Sequence, residues 1–263
     1  MTTTFELTGG LIVDTGAAVH GLDPAGRTGI TDILLSHSHL DHTLGLPFLL
    51  AGITPRVHGL PATLAAVRES LLDGRIWPEL HHRAEWREVA PRSRLEVAGW
   101  EVSVLGASHT VPCLSFFFEA REGMAGPLAI VGDTSLDEEV VAAVADARPA
   151  HCVLEASYPD AEAEIAVRYG HQTPRDLRVW REALGPDCLL LVTHLKPNHE
   201  AGVRAVLLEV GPVAEDVGDG HAFRAALVTD VAVRPALDLT NARVVALEEC
   251  EVAGFERLLE LIQ

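Results

Sequence analysis

Short runs of valine, isoleucine and leucine recur along the chain, and many stop abruptly at a polar residue. Leu11-Ile12-Val13 runs into Asp14, and Ile33-Leu34-Leu35 runs into Ser36 and His37. Val102-Ser103-Val104-Leu105 leads to Ser108-His109, and Leu128-Ala129-Ile130-Val131 ends at Gly132-Asp133. Cys152-Val153-Leu154 ends at Glu155, and the run from Cys188 to Val192 ends at Thr193-His194. Their length and β-branched content predict strands buried on both faces. Helical patterns lie between them. Pro61 to Leu72 opens on a proline, as first helical turns often do. Asp137 to Ala147 begins with acids, which the positive end of a helix favours. Thr173 is expected to cap a helix that Pro174 starts and that runs through Leu184. An apolar helix is expected from Leu44 to Leu50, and two more at Glu200 to Val210 and Val252 to Ile262. Strands that alternate with helices and carry reactive residues at their carboxyl ends describe an α/β enzyme. No repeat or Pro/Gly/Ser linker divides the sequence, so residues 1–263 read as a single domain. The stretch from Asp73 to Pro91 fits neither pattern. It holds Trp77, Trp86, His81, His82 and several arginines, and reads as a surface excursion with a packed tryptophan or, alternatively, as a flap over the site.

Charge narrows the partners. With 38 acidic against 20 basic side chains the net charge is −18. Such a surface repels polyanions at long range, which argues against a nucleic-acid polymer as the main partner. A small anionic substrate stays open, because bound metal ions reverse the field locally. Cys113, Cys152, Cys188 and Cys250 are far apart with no C-x-x-C pair, as expected of reduced core thiols. The start MTTTFELTGG lacks the basic residues and long apolar run of a secretory leader. No apolar stretch reaches the roughly 20 residues of a membrane span. A cytoplasmic protein without membrane contact is the expectation.

The chemistry concentrates in His37-Ser38-His39-Leu40-Asp41-His42. Zinc binds neutral imidazole nitrogen and carboxylate oxygen, and a catalytic site keeps a position open for water. Four such groups within six residues, directly after a buried strand, point to metal binding; in a tight loop, alternate residues can converge on one ion while the next pair faces a second.

H-x-H-x-D-H resembles the metal-binding motif of the metallo-β-lactamase superfamily, and later segments resemble that family in order. His109 in Ser108-His109-Thr110, Asp133 in Gly132-Asp133-Thr134 and His194 in Thr193-His194-Leu195-Lys196-Pro197 match its remaining ligands. The resemblance implies an αββα sandwich: two mixed β-sheets packed face to face, flanked by helices, with metals at one rim. It further implies that His37, His39, His109 and Asp133 hold one divalent ion, and that Asp41, His42, Asp133 and His194 hold the other. Zinc is the expected metal, with manganese or iron as alternatives that His/Asp sites also accept. Asp14, in Asp14-Thr15-Gly16, matches a turn that supports the metal loop from behind, although an aspartate capping a turn gives the same pattern.

Three segments narrow the activity. Leu154-Glu155-Ala156-Ser157-Tyr158, Gly170-His171-Gln172-Thr173-Pro174 and Thr193-His194-Leu195-Lys196-Pro197, with Ile76-Trp77-Pro78, resemble the class II cyclic-nucleotide phosphodiesterases over roughly residues 3–220. This implies hydrolysis of a 3′,5′-cyclic nucleotide by a metal-bridging hydroxide. In that resemblance His171 is the general acid, Glu155 orients its ring, and Asp41 belongs to both the metal site and the catalytic group. Lys196, the chain's only lysine, would contact the substrate phosphate or make a structural contact. A tRNase Z-like RNA 3′-processing nuclease and other small phosphodiester or ester hydrolases are the alternatives. A metal-binding fold without catalysis would lack a ligand, and none is missing. The chain begins almost at the segment that Thr3-Thr4-Phe5 resembles, so the family's first strand is expected to be absent or the start assigned late. The segment 225–263 is expected to cover an edge strand or to form a subunit contact, as in a homodimer.

Overall fold

The computed structural model of the chain describes residues 2–203, except 23, 122, 123, 125, 197, 200 and 201, together with the backbone of three later strands. Among the described residues fourteen strands form two sheets. The first seven in chain order are β1 (Phe5–Leu7), β2 (Leu11–Val13), β3 (Asp32–Leu34), β4 (Arg56–Gly59), β5 (Glu85–Glu88), β6 (Arg94–Val97) and β7 (Trp100–Ala107). They are followed by β8 (Cys113–Phe118), β9 (Leu128–Ile130), β10 (His151–Glu155), β11 (Leu189–Thr193), β12 (Ala225–Leu227), β13 (Leu237–Asp238) and β14 (Arg243–Ala246). One sheet has the order β13-β14-β1-β2-β3-β4-β5, and the other the order β12-β11-β10-β9-β8-β7-β6. Both are mixed: β2 to β5 are parallel neighbours, as are β9 to β12, while the remaining pairs are antiparallel.

Side-chain alternation explains why the strands read as unbroken apolar runs. Leu11 and Val13 point into the core between the sheets while Ile12 points outward to a second cluster, and Phe116 and Phe118 face inward while Phe117 faces out. Each sheet therefore needs an apolar cover on its outer face. On the first sheet the helices Leu46–Gly52 and Pro61–Ser70 supply Leu46, Leu50, Leu64 and Val67. On the second, Glu138–Ala147 and Asp176–Leu184 supply Val141, Val144, Leu177 and Trp180. Helix, sheet, sheet, helix is the αββα sandwich.

Several local expectations shift. Asp137 caps its helix through hydrogen bonds from Glu139 N and Val140 N, as anticipated. Thr173 does not cap the next one: the helix starts at Asp176, and the Asp176 carboxylate accepts from Thr173 N and Oγ1 at 2.9 and 3.1 Å. Pro174 keeps its predecessor out of helical geometry, so the capping roles reverse. The expected helix Leu44–Leu50 is a separate turn at Leu40–Thr43 followed by Leu46–Gly52, so Asp41 and His42 sit on helical backbone and not in a tight loop. Within 73–91, Trp77 packs on Phe48 at 4.7 Å between ring centroids, and the segment ends in β5 at the edge of the first sheet. β8 went unread although all six of its residues are buried. Strand β14 of the tail pairs antiparallel with β1, covering that edge. The helix expected at 252–262 lies outside the described residues, as does nearly all of the one expected at 200–210 and Cys250. Among the described residues no helix is long and apolar enough to cross a membrane.

Candidate metal centre

Every strand that was expected to end in a reactive residue delivers it to one rim. Asp14 follows β2, His37 follows β3, His109 follows β7, Asp133 follows β9, Glu155 closes β10 and His194 follows β11. Parallel neighbours share their carboxyl ends, and β7 runs in the same sense as β9 because both are antiparallel to β8. Two of these residues, Asp14 (φ 59°) and His194 (φ 61°), adopt left-handed backbone, which side-chain-bearing residues rarely occupy and which tends to be kept at functional sites.

The expected ligands fall into two groups whose nitrogen and oxygen atoms lie within 4.8 Å of one another: His37, His39 and His109, and Asp41, His42, Asp133 and His194. His39 Nδ1 is 3.0 Å from His109 Nε2, and His42 Nε2 is 3.3 Å from His194 Nε2. His194 Nε2 is also 3.2 Å from Asp41 Oδ2. Asp133 Oδ2 stands between the groups, 3.4 Å from His42 Nε2, 3.5 Å from His194 Nε2 and 3.9 Å from His37 Nε2. Ligands about 2.0–2.2 Å from a tetrahedral ion lie roughly 3.4 Å apart, so these separations suit shared coordination. Two atoms decide the fit. His37 Nε2 and Asp133 Oδ2 are buried with no hydrogen-bond partner. Orphaned buried polar atoms are costly, and a divalent ion is the group that would satisfy both a nitrogen lone pair and a carboxylate oxygen.

The charges fit the same picture. Burial, reinforced by His42, pushes the His37 imidazole down to about 2, so it is neutral and ready to donate its lone pair. Burial likewise lowers His39 and His109. His42 goes the other way: burial opposes its charge, but Asp133 and Asp14 outweigh it and hold the ring protonated well above the usual range. Burial would raise Asp133 and Asp41, yet His194 and His42 keep both carboxyls ionised. A divalent ion binding here would displace protons.

Residues 11–195 match the family model of the beta-lactamase superfamily domain. The chain belongs to the metallo-β-lactamase superfamily. A Ribonuclease Z of Bradyrhizobium diazoefficiens is 25% identical over an alignment 232 positions long, gaps included, that covers 67% of this chain and 75% of that protein. Among solved structures, unliganded yeast PDE1 superposes with a TM-score of 0.59 at 23% identity, over 69% of this chain and 61% of that one. The metallo-β-lactamase fold protein YhfI of Bacillus subtilis gives 0.59 at 18%, over 76% and 80%; the short form of human tRNase Z gives 0.55 at 18%, over 73% and 84%. These likenesses show the fold.

Beside this superfamily cluster lie the other expected residues. His171 is buried, with Nδ1 3.0 Å from Glu155 Oε1, and its ring stacks on His194 at 5.4 Å and 26°. Burial lowers the affinity of His171 for a proton, but the Glu155 hydrogen bond and charge prevail and raise its pKa. His171 also has a nitrogen within reach of the group formed by His109 and Asp133. Asp14 lies behind the His37–His42 segment: its carboxylate meets His42 Nδ1 at 2.7 Å and accepts from Ser36 N and Oγ at 2.8 and 2.7 Å. Lys196 Nζ lies 3.6 Å from Asp41 Oδ2, a contact to a site residue. Sequence reasoning missed Ser36, Ser157 and Gly170. The Gly170 carbonyl accepts from His109 Nδ1 at 2.8 Å. Its φ is +72°, and a Cβ there would meet that nitrogen at 2.6 Å. The glycine beside His171 was the available signal.

Proposed function

We propose that the chain is a dinuclear, metal-dependent phosphodiesterase acting on 3′,5′-cyclic nucleotides, with zinc as the metal. His37, His39, His109 and Asp133 would hold one ion; Asp41, His42, Asp133 and His194 would hold the other. Bound there, the two ions supply activated water near neutral pH and neutralise charge building on the phosphate oxygens. The observation that carries the reading is the His171–Glu155 pair beside the cluster. A ribose alkoxide is a poor leaving group and must receive a proton. With Nδ1 committed to Glu155, His171 has Nε2 left to serve the substrate, and Glu155, working against burial, raises the ring's affinity for a proton above that of a free imidazole. Lys196 is placed in this reading as a phosphate contact reached from beside Asp41. The buried free thiols Cys113, Cys152 and Cys188 suit the reducing cytoplasm.

The cyclic-nucleotide assignment rests on the three motif segments and on the net charge of −18, which favours a small anion over a polymer. The 25% identity to a Ribonuclease Z favours a second reading, RNA 3′ processing. A hydrolysis panel separates them: metal-loaded protein with cAMP, cGMP, a 2′,3′-cyclic nucleotide, bis(p-nitrophenyl) phosphate and a precursor tRNA. Turnover of cAMP or cGMP with weak tRNA binding of shallow salt dependence is expected. Efficient trimming of the tRNA at physiological salt, with the cyclic nucleotides untouched, would replace the first reading by the second.

A further inference from the structure

The same hydrogen-bonded arrangement is built twice at the rim, once from each half of the chain. In the first half the Asp14 carboxylate accepts from Ser36 N and Oγ and bonds His42 Nδ1, while Ser36 Oγ lies 3.0 Å from His37 Nδ1. In the second half the Glu155 carboxylate accepts from Ser157 N at 3.0 Å and Oγ at 2.7 Å and bonds His171 Nδ1, while Ser157 Oγ lies 2.9 Å from His194 Nδ1. Both serines are buried, at 1% and 0% exposure. A serine hydroxyl carries a single proton. In each half its shortest contact, 2.7 Å, is to the carboxylate; the His194 carbonyl also lies 3.0 Å from Ser157 Oγ, but the charged carboxylate is the nearer and stronger acceptor, so the proton goes there. The oxygen lone pairs then face the histidine and can only accept, so Nδ1 of His37 and of His194 must carry its own hydrogen. That leaves Nε2 of each ring as the lone pair turned toward Asp133.

We propose that Ser36 and Ser157 are matched positioning residues: each relays a buried carboxylate to one histidine and fixes the ring form that can bind metal. Ser36 serves the ion held with His37, and Ser157 serves the ion held with His194. Glu155 thereby supports two different parts of the reaction, the second ion through Ser157 and the proton donor His171 directly. The inference rests on the two-ion reading above, but its test does not depend on which substrate is hydrolysed.

The test is a titration of metal-free protein with cobalt(II), followed by absorption spectroscopy and chelator competition, on the wild type, Ser36→Ala and Ser157→Ala. His39→Ala and Asp41→Ala give the reference spectra for loss of the first and second ion, and circular dichroism confirms the metal-free fold. Removing a group that orients a metal-binding histidine typically costs about 10–100-fold in metal affinity. Ser157→Ala should lose that much at the second ion only, matching the Asp41→Ala spectrum, and Ser36→Ala at the first only. At saturating metal Ser157→Ala should regain the wild-type two-ion spectrum, whereas Glu155→Gln should stay slow even when loaded because His171 has lost its partner. Either serine variant suffices to decide the point if the other fails to fold. Wild-type affinity for both ions in the folded serine variants, or loss of the opposite ion, would overturn the relay while leaving the two-ion reading intact. A wild-type chain that takes up fewer than two ions overturns both.

Discussion

Strand β3 has a buried carboxylate or imidazole set among charged groups at each end, and the two ends differ in one respect. At its start, fully buried Asp32 receives hydrogen bonds from Arg56 Nε and Nη2, both at 2.6 Å, and from Thr31 Oγ1 at 2.9 Å, with His58 Nε2 at 3.0 Å. Both carboxylate oxygens have partners. At its end, His37 Nε2 and the Asp133 Oδ2 it faces are equally buried and have no hydrogen-bond partner. Histidines crowd that oxygen at 3.4 to 3.9 Å, and none closes a hydrogen bond to it. A buried ionic cluster that satisfies itself is part of the scaffold. One that brings buried acceptors together without hydrogen-bond partners is arranged around something else, and the chemistry of these acceptors suits a divalent cation. The same chain thus separates structure from function along a strand of three residues.

The contrast can be broken in four ways. The largest effect should follow His171→Ala, which touches only the functional rim: kcat on a cyclic nucleotide should fall by about 10²–10⁴-fold with both metals retained. On a p-nitrophenyl ester, whose leaving group needs no proton, the loss should shrink. An equal loss on both substrates would make His171 a metal ligand or a scaffold residue.

Next comes the response to metal. An ion present at about 1,000 times its Kd stabilises the folded state by about 4 kcal/mol. For a chain of this size that raises Tm by roughly 10 °C. Calorimetry should show most of this rise vanish in Asp133→Asn and persist in Asp32→Asn.

Asp32→Ala is the converse. It leaves His58 buried beside a guanidinium that has lost its partner, so denaturant unfolding should show a loss of about 3 kcal/mol, the same with and without metal. A loss that appears only in the metal-loaded protein would tie the two clusters together.

The smallest effect is in pH. Burial lowers the pKa of His58 below 6.5 in the folded chain, although Asp32 opposes the shift. As pH falls below 6.5 the unfolded chain therefore takes up this proton first, and stability declines until the folded His58 is also protonated. For Asp32 burial works to raise the pKa, but Arg56, His58 and Thr31 hold it below 3.8; its contribution is complete above that pH and is lost as pH falls through the folded value. Urea unfolding between pH 7 and pH 5 should show a slope that His58→Gln flattens. An unchanged slope would mean that this histidine does not titrate with folding.

What the sequence made legible was local. A valine- or leucine-rich run followed within three residues by Asp14, His37, Asp133 or His194 marks both a strand and its reactive end, because the side chain that leaves the sheet lies just beyond the strand in the chain. Strand β8 escaped because Phe116-Phe117-Phe118 alternates between two cores, so every position is apolar and no period shows. The helical turn under Asp41 and His42 escaped because the motif was read as a loop wrapped around metal. Thr173 looked like a cap until Asp176 took that part. Arg56 and His58, the distant partners of Asp32, lie 24 and 26 residues away, and the relay of Ser157 to His194 spans 37. A serine beside a strand end is unremarkable until the fold sets a carboxylate on one side of it and an imidazole on the other.

On the proposed reading, Asp133 and the unsatisfied histidine at the end of β3 would help to hold two ions. Elemental analysis of protein purified without chelator tests it directly. Close to two divalent ions per chain is the predicted result, falling in Asp133→Ala. A saturating value of one ion that Asp133→Ala leaves unchanged would contradict it.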